Sequence, residues 1–258
     1  MKFFSNKLSP INLVLLVAGF LTLTGNFTFF EKTLLVYPLS ENLFFLGSLF
    51  LLHLTLLATL LLIFCYSKTI KPILILMLII SSLLSFSTNN YGIVFDHNMI
   101  TNTFETDTSE IRDLASFKLI LYFLILGLLP SIAVWKVQLN KIPFKFATKF
   151  AFRLCGKYKP RFIPHIAKLI ERATVFLVLV VIITVVVLSF SKHYSSFFRE
   201  NKTLRAYSTP IYFLYSTTKF VNSKLAVSSE PFKKIGLDAK INKNSGLRRL
   251  VILVVGET

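Results

Sequence analysis

From Ala173 to Phe190 the sequence reads A-T-V-F-L-V-L-V-V-I-I-T-V-V-V-L-S-F, without one charged residue. In water its β-branched centre would favour a strand. In a bilayer a lone strand leaves its backbone N–H and C=O groups unsatisfied, so only a helix can cross. Four other stretches impose the same choice: Ile11–Phe29, Leu43–Cys65, Ile73–Phe86 and Phe117–Trp135. Each approaches the roughly 20 residues that a ~30 Å hydrocarbon core demands of a helix. The third softens into Ser81, Ser82, Ser85, Ser87 and Thr88, and is extended to Thr88. The first follows Lys2 and Lys7 as a signal peptide would, but it is too long for a signal h-region and lacks a small-x-small cleavage site. Composition agrees: 54% of residues are apolar and 16% charged, against about 25% charged in an ordinary soluble domain. The charges fall in patches that leave the five stretches nearly clean, so five crossings are expected.

Lys and Arg set the orientation. Between the fourth and fifth stretches stand Lys136, Lys141, Lys145, Lys149, Arg153, Lys157, Lys159, Arg161, Lys168 and Arg172, opposed only by Glu171. The loop between the third and fourth is the mirror case, with Asp96, Glu105, Asp107, Glu110 and Asp113 against Arg112. Lys2, Lys7, Lys68 and Lys71 fall on the basic side. The basic loops therefore face the cytoplasm, the N-terminus lies inside, and everything after about Ser191 lies outside. The net charge of +17 does not point to nucleic acid, because no base-reading motif or aromatic platform accompanies it. Attraction to anionic headgroups explains the inner lysines. Cys65 and Cys155 map to the cytoplasmic side or its boundary, where disulfides rarely persist.

Three regions outside the crossings carry candidate chemistry. In the outer loop, Asn102, Thr106 and Glu110 recur with period four and share one face of a helix. An amide, a hydroxyl and a carboxylate then lie in a row about 12 Å long. The row is either a solvated face or a site for a lipid headgroup, with the carboxylate on a cation and the amide or hydroxyl on phosphate oxygens. Asp96 and His97 are either a metal pair or, as single-residue chemistry suggests, the cap and first residue of that helix. His53, within the second crossing, is either an interhelical hydrogen-bonding group or a relay. After the fifth crossing, Arg199, Lys202 and Arg205 alternate with Phe197, Phe198, Tyr207, Tyr212 and Tyr215 as an interfacial element does. Pro210 starts a helical run over Ile211–Val221, and Asn222–Ser245 reads as a polar bridge. Finally, Leu250–Thr258 reads L-V-I-L-V-V-G-E-T, a buried-type strand that needs neighbours and a covering layer. The expectation is a membrane module followed by the first strand of a truncated α/β domain, with Glu257 at the strand edge where such enzymes place functional groups.

Four stretches together resemble the lipid A phosphoethanolamine transferases, inner-membrane enzymes that include transferable polymyxin-resistance determinants. They are Asn90-Tyr91-Gly92 leading into Met99-Ile100-x-Asn102-x-x-x-Thr106-Asp107-x-x-Glu110, then Phe198-Arg199-Glu200-x-Lys202-x-Leu204-Arg205, the Pro210 segment, and Val254-Val255-Gly256-Glu257-Thr258. The resemblance implies an all-α polytopic membrane domain with five transmembrane helices over 1–191, periplasmic interfacial helices and a linker over 192–245, and the first β-strand of an alkaline-phosphatase-like domain over 246–258. It implies phosphatidylethanolamine and lipid A as partners, zinc as the family cofactor, and Glu257 as a match to its first zinc-ligating glutamate. It also implies that Asn102, Thr106 and Glu110 match positions lining the phosphatidylethanolamine headgroup. The family nucleophile and the remaining zinc ligands have no match, so no catalytic residue is assigned and the chain alone is expected to be inactive. Two other classes stand beside this reading: a non-catalytic lipid-binding membrane protein, and a transporter subunit. Transport is disfavoured because the crossings hold no buried Asp, Glu, Lys or Arg.

Overall fold

The computed structural model describes residues 7–64, 69–105, 116–140, 149, 163–226 and 252. Helix α1 (Pro10–Gly25) begins where the Ser9 hydroxyl accepts the Asn12 N–H at 3.1 Å and Pro10 takes the first helical position, the N-terminal chemistry in which a missing N–H costs nothing. Helix α2 (Phe27–Val36) leaves it at 60°. The expected straight crossing Ile11–Phe29 is thus a bent pair. At the break, Asn26 adopts a non-helical conformation (φ −121°, ψ 27°). Its Nδ2 donates to the carbonyls of Leu21 (3.0 Å) and Thr209 (2.8 Å), while its Oδ1 accepts from the Thr209 N–H (2.8 Å). The Ser85 and Thr209 hydroxyls both donate to the Gly25 carbonyl. A bend in apolar surroundings exposes backbone groups that need partners, and here polar side chains supply them.

Helix α3 (Leu39–Phe64) is kinked at Asn42, so its regular part starts at Leu43, as hydropathy indicates. Helix α4 (Ile70–Tyr91) ends on Gly92 at φ 66°, whose N–H returns to the Thr88 carbonyl. Only glycine takes this left-handed cap without strain. Helix α5 (His97–Glu105) follows. The crossing α6 (Phe117–Lys136) contains one π-helical stretch, Phe123–Leu128. There Gly127 lies so close to α4 that a Cβ would stand 2.6 Å from Ser82 Oγ. Helix α7 (Ile163–Ser189) begins well before Ala173, absorbing Lys168, Glu171 and Arg172 into its first turns. The Arg172 guanidinium donates to the Leu62 carbonyl, a cation on the carbonyl-rich end of α3. Helix α8 (Ser191–Glu200), a 3₁₀ turn (Leu204–Tyr207) and α9 (Ile211–Ala226) complete the described chain.

The five long elements form a row, α6–α4–α1–α3–α7, each packed on the next. The central helices share a core of Val14, Ala18, Leu57, Leu61, Leu74 and Leu78, each at most 1% exposed. The outer two differ: 17% of the apolar window of α6 and 11% of that of α7 is buried, against 56% for α3 and 44% for α4. Apolar surface of that extent is stable only against lipid, so α6 and α7 present it to the bilayer.

At one end of the row Lys71 donates to the Trp135 carbonyl at 2.7 Å, and Leu8 pairs with the 138–140 segment. At the other end α2, α5, α8 and α9 form a cap. Asn89 ties it to the bundle, accepting from the Thr28 hydroxyl at 2.6 Å and donating to the Tyr122 hydroxyl at 2.8 Å. Phe29, Phe45, Leu49, Leu52, Tyr194, Phe197 and Leu204 pack a second, largely aromatic core between α2, α3 and α8. The aromatics of the basic segment therefore divide. Tyr194 and Phe197 are buried in this core, whereas Phe198 and Tyr215 remain exposed. The expected strand over 246–258 lies outside the described residues except for Ile252; among the described residues there is no strand, only the Leu8–Leu139 bridge.

Candidate functional site

Asp96 caps α5: its carboxylate accepts the Met99 N–H at 2.9 Å. His97 turns toward α9, with Nε2 3.0 Å from the Ser223 hydroxyl and its ring 5.8 Å from that of Phe220. Phe95 meets Phe213 at 6.3 Å. These contacts hold α5 on one side of α9 while Ile100 is buried beneath it. Asn102 then falls on the exposed side of α5. Its proposed companions Thr106 and Glu110 lie outside the described residues, as does Glu257.

The other side of α9 faces a cleft of about 580 Å³. Ile211, Tyr212, Tyr215 and Lys219 of α9 line it, at the three- and four-residue spacing of one helix face. Its floor is α3, through Leu49, Leu52, His53 and Leu56. Phe29, Phe197 and Phe198 add apolar wall, and Arg205 and Ser208 close the rim. Both cations, Arg205 and Lys219, are exposed, and among the described residues no Asp or Glu lines the cleft. His53 is 4% exposed. Its Nδ1 lies 3.4 Å from the Ser208 hydroxyl, but its buried Nε2 has no hydrogen-bond partner among the described residues.

Around the rim the charge remains positive. Lys32 sits 5.0 Å over the Tyr207 ring, a cation–π placement. Glu200 is neutralised locally by Arg199 at 3.1 Å, and hydrogen bonds from Arg199 and Ser196 hold its carboxyl below the usual range. Beneath, Tyr194 shares a hydrogen bond of 2.9 Å with the Ser48 hydroxyl, and burial raises its phenol above the ordinary value while that bond opposes the shift. The arrangement combines hydrocarbon-lined space, two exposed cations and a buried imidazole whose Nε2 has no partner among the described residues, and it suits an amphiphile with acidic oxygens.

Arg205 and His53 were each visible in the sequence, one in a basic aromatic run and the other within a crossing. Lys219 carried no signal there. Their convergence depends on the chain returning across α3 after α8. Among the described residues, no three His, Cys, Asp or Glu side chains come together as a metal site.

The profile of the family described as Phosphoethanolamine transferase EptA/EptB matches residues 53–157 and 154–225. Over 98% of its length the chain is 34% identical to Phosphatidylethanolamine transferase Mcr-2 of Escherichia coli, and over 99% it is 34% identical to Mcr-1 of the same organism. Phosphoethanolamine transferase EptA of Escherichia coli K12 is 27% identical over 95% of the chain. The chain spans 44%, 44% and 42% of these relatives, less than half of each. Its fold matches that of the integral membrane protein lipooligosaccharide phosphoethanolamine transferase A from Neisseria meningitidis, with a TM-score of 0.67 over 86% of this chain and 38% of that one, at 22% identity.

Proposed function

Because the chain belongs to the phosphoethanolamine transferase EptA/EptB family, we propose that it is the membrane part of an enzyme that moves phosphoethanolamine from phosphatidylethanolamine to lipid A or lipopolysaccharide. The observation that carries this reading is the 34% identity to two phosphatidylethanolamine transferases along essentially the whole chain. The cap of α2, α5, α8 and α9 then faces the periplasm and the N-terminus the cytoplasm of the bacterial inner membrane, in line with the basic loops. Residues 246–258 contribute the first strand of the catalytic domain.

In this reading Asn102, Thr106 and Glu110 receive the donor headgroup. The exposed position of Asn102 on an α5 anchored by His97 supports the assignment. The Glu110 carboxylate pairs with the ammonium, and the Asn102 amide and Thr106 hydroxyl donate to phosphate oxygens. Holding the headgroup on these side chains orients the phosphodiester before any bond breaks. Zinc, with Glu257 as one ligand, is the family's expected source of charge stabilisation on the transferring group. The described residues offer it no site, so their part in the reaction is to bind and orient lipid.

The test is to replace the corresponding membrane part of Mcr-1 with this chain and follow lipid A by mass spectrometry. Addition of phosphoethanolamine is the expected result, with Glu110→Ala lowering it at least tenfold, about the worth of one charge-assisted bond. Unchanged transfer by the Asn102→Ala, Thr106→Ala and Glu110→Ala variants would remove these residues from the donor site.

A further inference from the structure

We infer that the cleft between α3, α8 and α9 binds a second lipid of a different charge class: an anionic glycerophospholipid, with an acyl chain along α3 and its phosphate against Arg205 and Lys219. The cleft's floor from Leu49 to Leu56 belongs to the membrane-crossing part of α3, and it runs for about 10 Å at the helical rise. Leu56 and Tyr215 are 39% and 60% exposed, so the cleft is open at its side as well as its rim. A lipid can therefore enter without leaving the bilayer. Water-soluble anions need no such apolar track.

Charge selects the headgroup. The Arg205 fork suits phosphate oxygens and Lys219 adds a point charge, while among the described residues no carboxylate lines the cleft to receive an ammonium. A zwitterionic headgroup would bring its own cation to these two cations. The buried Nε2 of His53, without a partner among the described residues, stands where the cleft meets the spanning part of α3. A buried polar atom of this kind costs stability unless something bonds to it, and an ester or phosphate oxygen of the lipid does so here.

Helix α9 gives the placement its meaning. Its Phe213, Phe220 and Ser223 side meets α5, and its Tyr215 and Lys219 side lines the cleft. A lipid on each side would be separated by one helix, about 10 Å across. The inference adds an anionic lipid to the proposed donor site and concerns binding alone, so it stands or falls independently of the transfer reaction.

The experiment uses the full chain in phosphatidylcholine nanodiscs, titrated with fluorescent phosphatidylglycerol and competed with phosphatidylethanolamine or inorganic phosphate. Arg205→Gln and Lys219→Gln should each weaken phosphatidylglycerol binding about fivefold and together about thirtyfold, near the worth of one basic residue each at a membrane surface. Lys192→Gln, outside the cleft, should leave it unchanged. Phosphatidylethanolamine should compete poorly and inorganic phosphate negligibly. Equal affinity for the two phospholipids, or full binding by the double variant, would overturn the inference. Competition by inorganic phosphate as effective as that by phosphatidylglycerol would show an anion site and overturn the lipid assignment. Phosphatidylglycerol with a photoreactive acyl chain should label the 49–56 segment of the unmodified chain, and labelling elsewhere refutes the inference without any variant.

Discussion

Replacing Asn26 with leucine keeps its approximate volume and removes the polar contacts of its side chain at the α1–α2 break. Three hydrogen bonds go: Nδ2 to the Leu21 and Thr209 carbonyls, and the Thr209 N–H to Oδ1, at 2.8–3.0 Å. Side-chain hydrogen bonds within membrane proteins average about 0.6 kcal/mol each, which makes roughly 2 kcal/mol for the three. The buried Thr209 N–H is then left without its acceptor, at a further cost of about 1–2 kcal/mol. The expected loss is about 2–4 kcal/mol. Equilibrium unfolding in mixed micelles measures it, and hydrogen exchange at Thr209 locates it, because that amide should lose protection before those of α3 and α4. The Gly25 carbonyl keeps its Ser85 and Thr209 hydroxyl donors, so α1 itself should stay helical. A loss below about 0.5 kcal/mol with Thr209 still protected would mean that the break is held by packing and that the polar account is wrong.

Other perturbations probe other joints. Gly127→Ala places a methyl 2.6 Å from Ser82 Oγ and 3.2 Å from its Cβ. It should cost about 1–3 kcal/mol as overpacking does, with Ser82→Ala recovering part of that loss in the same unfolding assay. His97→Ala removes the Ser223 bond and the Phe220 contact, and should raise hydrogen exchange in α5 selectively, at a cost of about 1 kcal/mol, without changing that of α4. Tyr194, raised above its ordinary value by burial, should titrate after the exposed tyrosines in an absorbance scan. Its stability contribution is fully present below the unfolded value of about 10 and is lost as pH rises through the raised folded value; Tyr194→Phe should abolish that alkaline dependence.

Local chemistry made much of this legible. Leu43 as the start of the second crossing acts within one helical turn. Asp96 as a cap and the helix after Pro210 are similarly local. Where the expectation and the fold part, a distant partner decides. The first crossing bends because Asn26 finds Thr209, 183 positions away. The last helix includes Arg172, whose guanidinium finds the Leu62 carbonyl, 110 positions away. Phe197, read as interfacial, is buried because α3 brings Phe45 to it.

By itself, the sequence determined that this chain crosses a membrane as helices, which segments do so, and to which family it is related. Hydropathy along a segment settles the crossings, since a lone strand in a bilayer leaves its backbone unsatisfied, and local motifs such as Asn90-Tyr91-Gly92 carry the family likeness. Tertiary structure alone decided the α6–α4–α1–α3–α7 order, the close approach at Gly127 and the convergence of His53, Arg205 and Lys219 on one cleft. In lipid the apolar face of one helix is as well solvated by hydrocarbon as by a neighbour. Neighbours are therefore chosen by small-residue packing and scattered polar contacts, and no single segment contains both partners of such a contact.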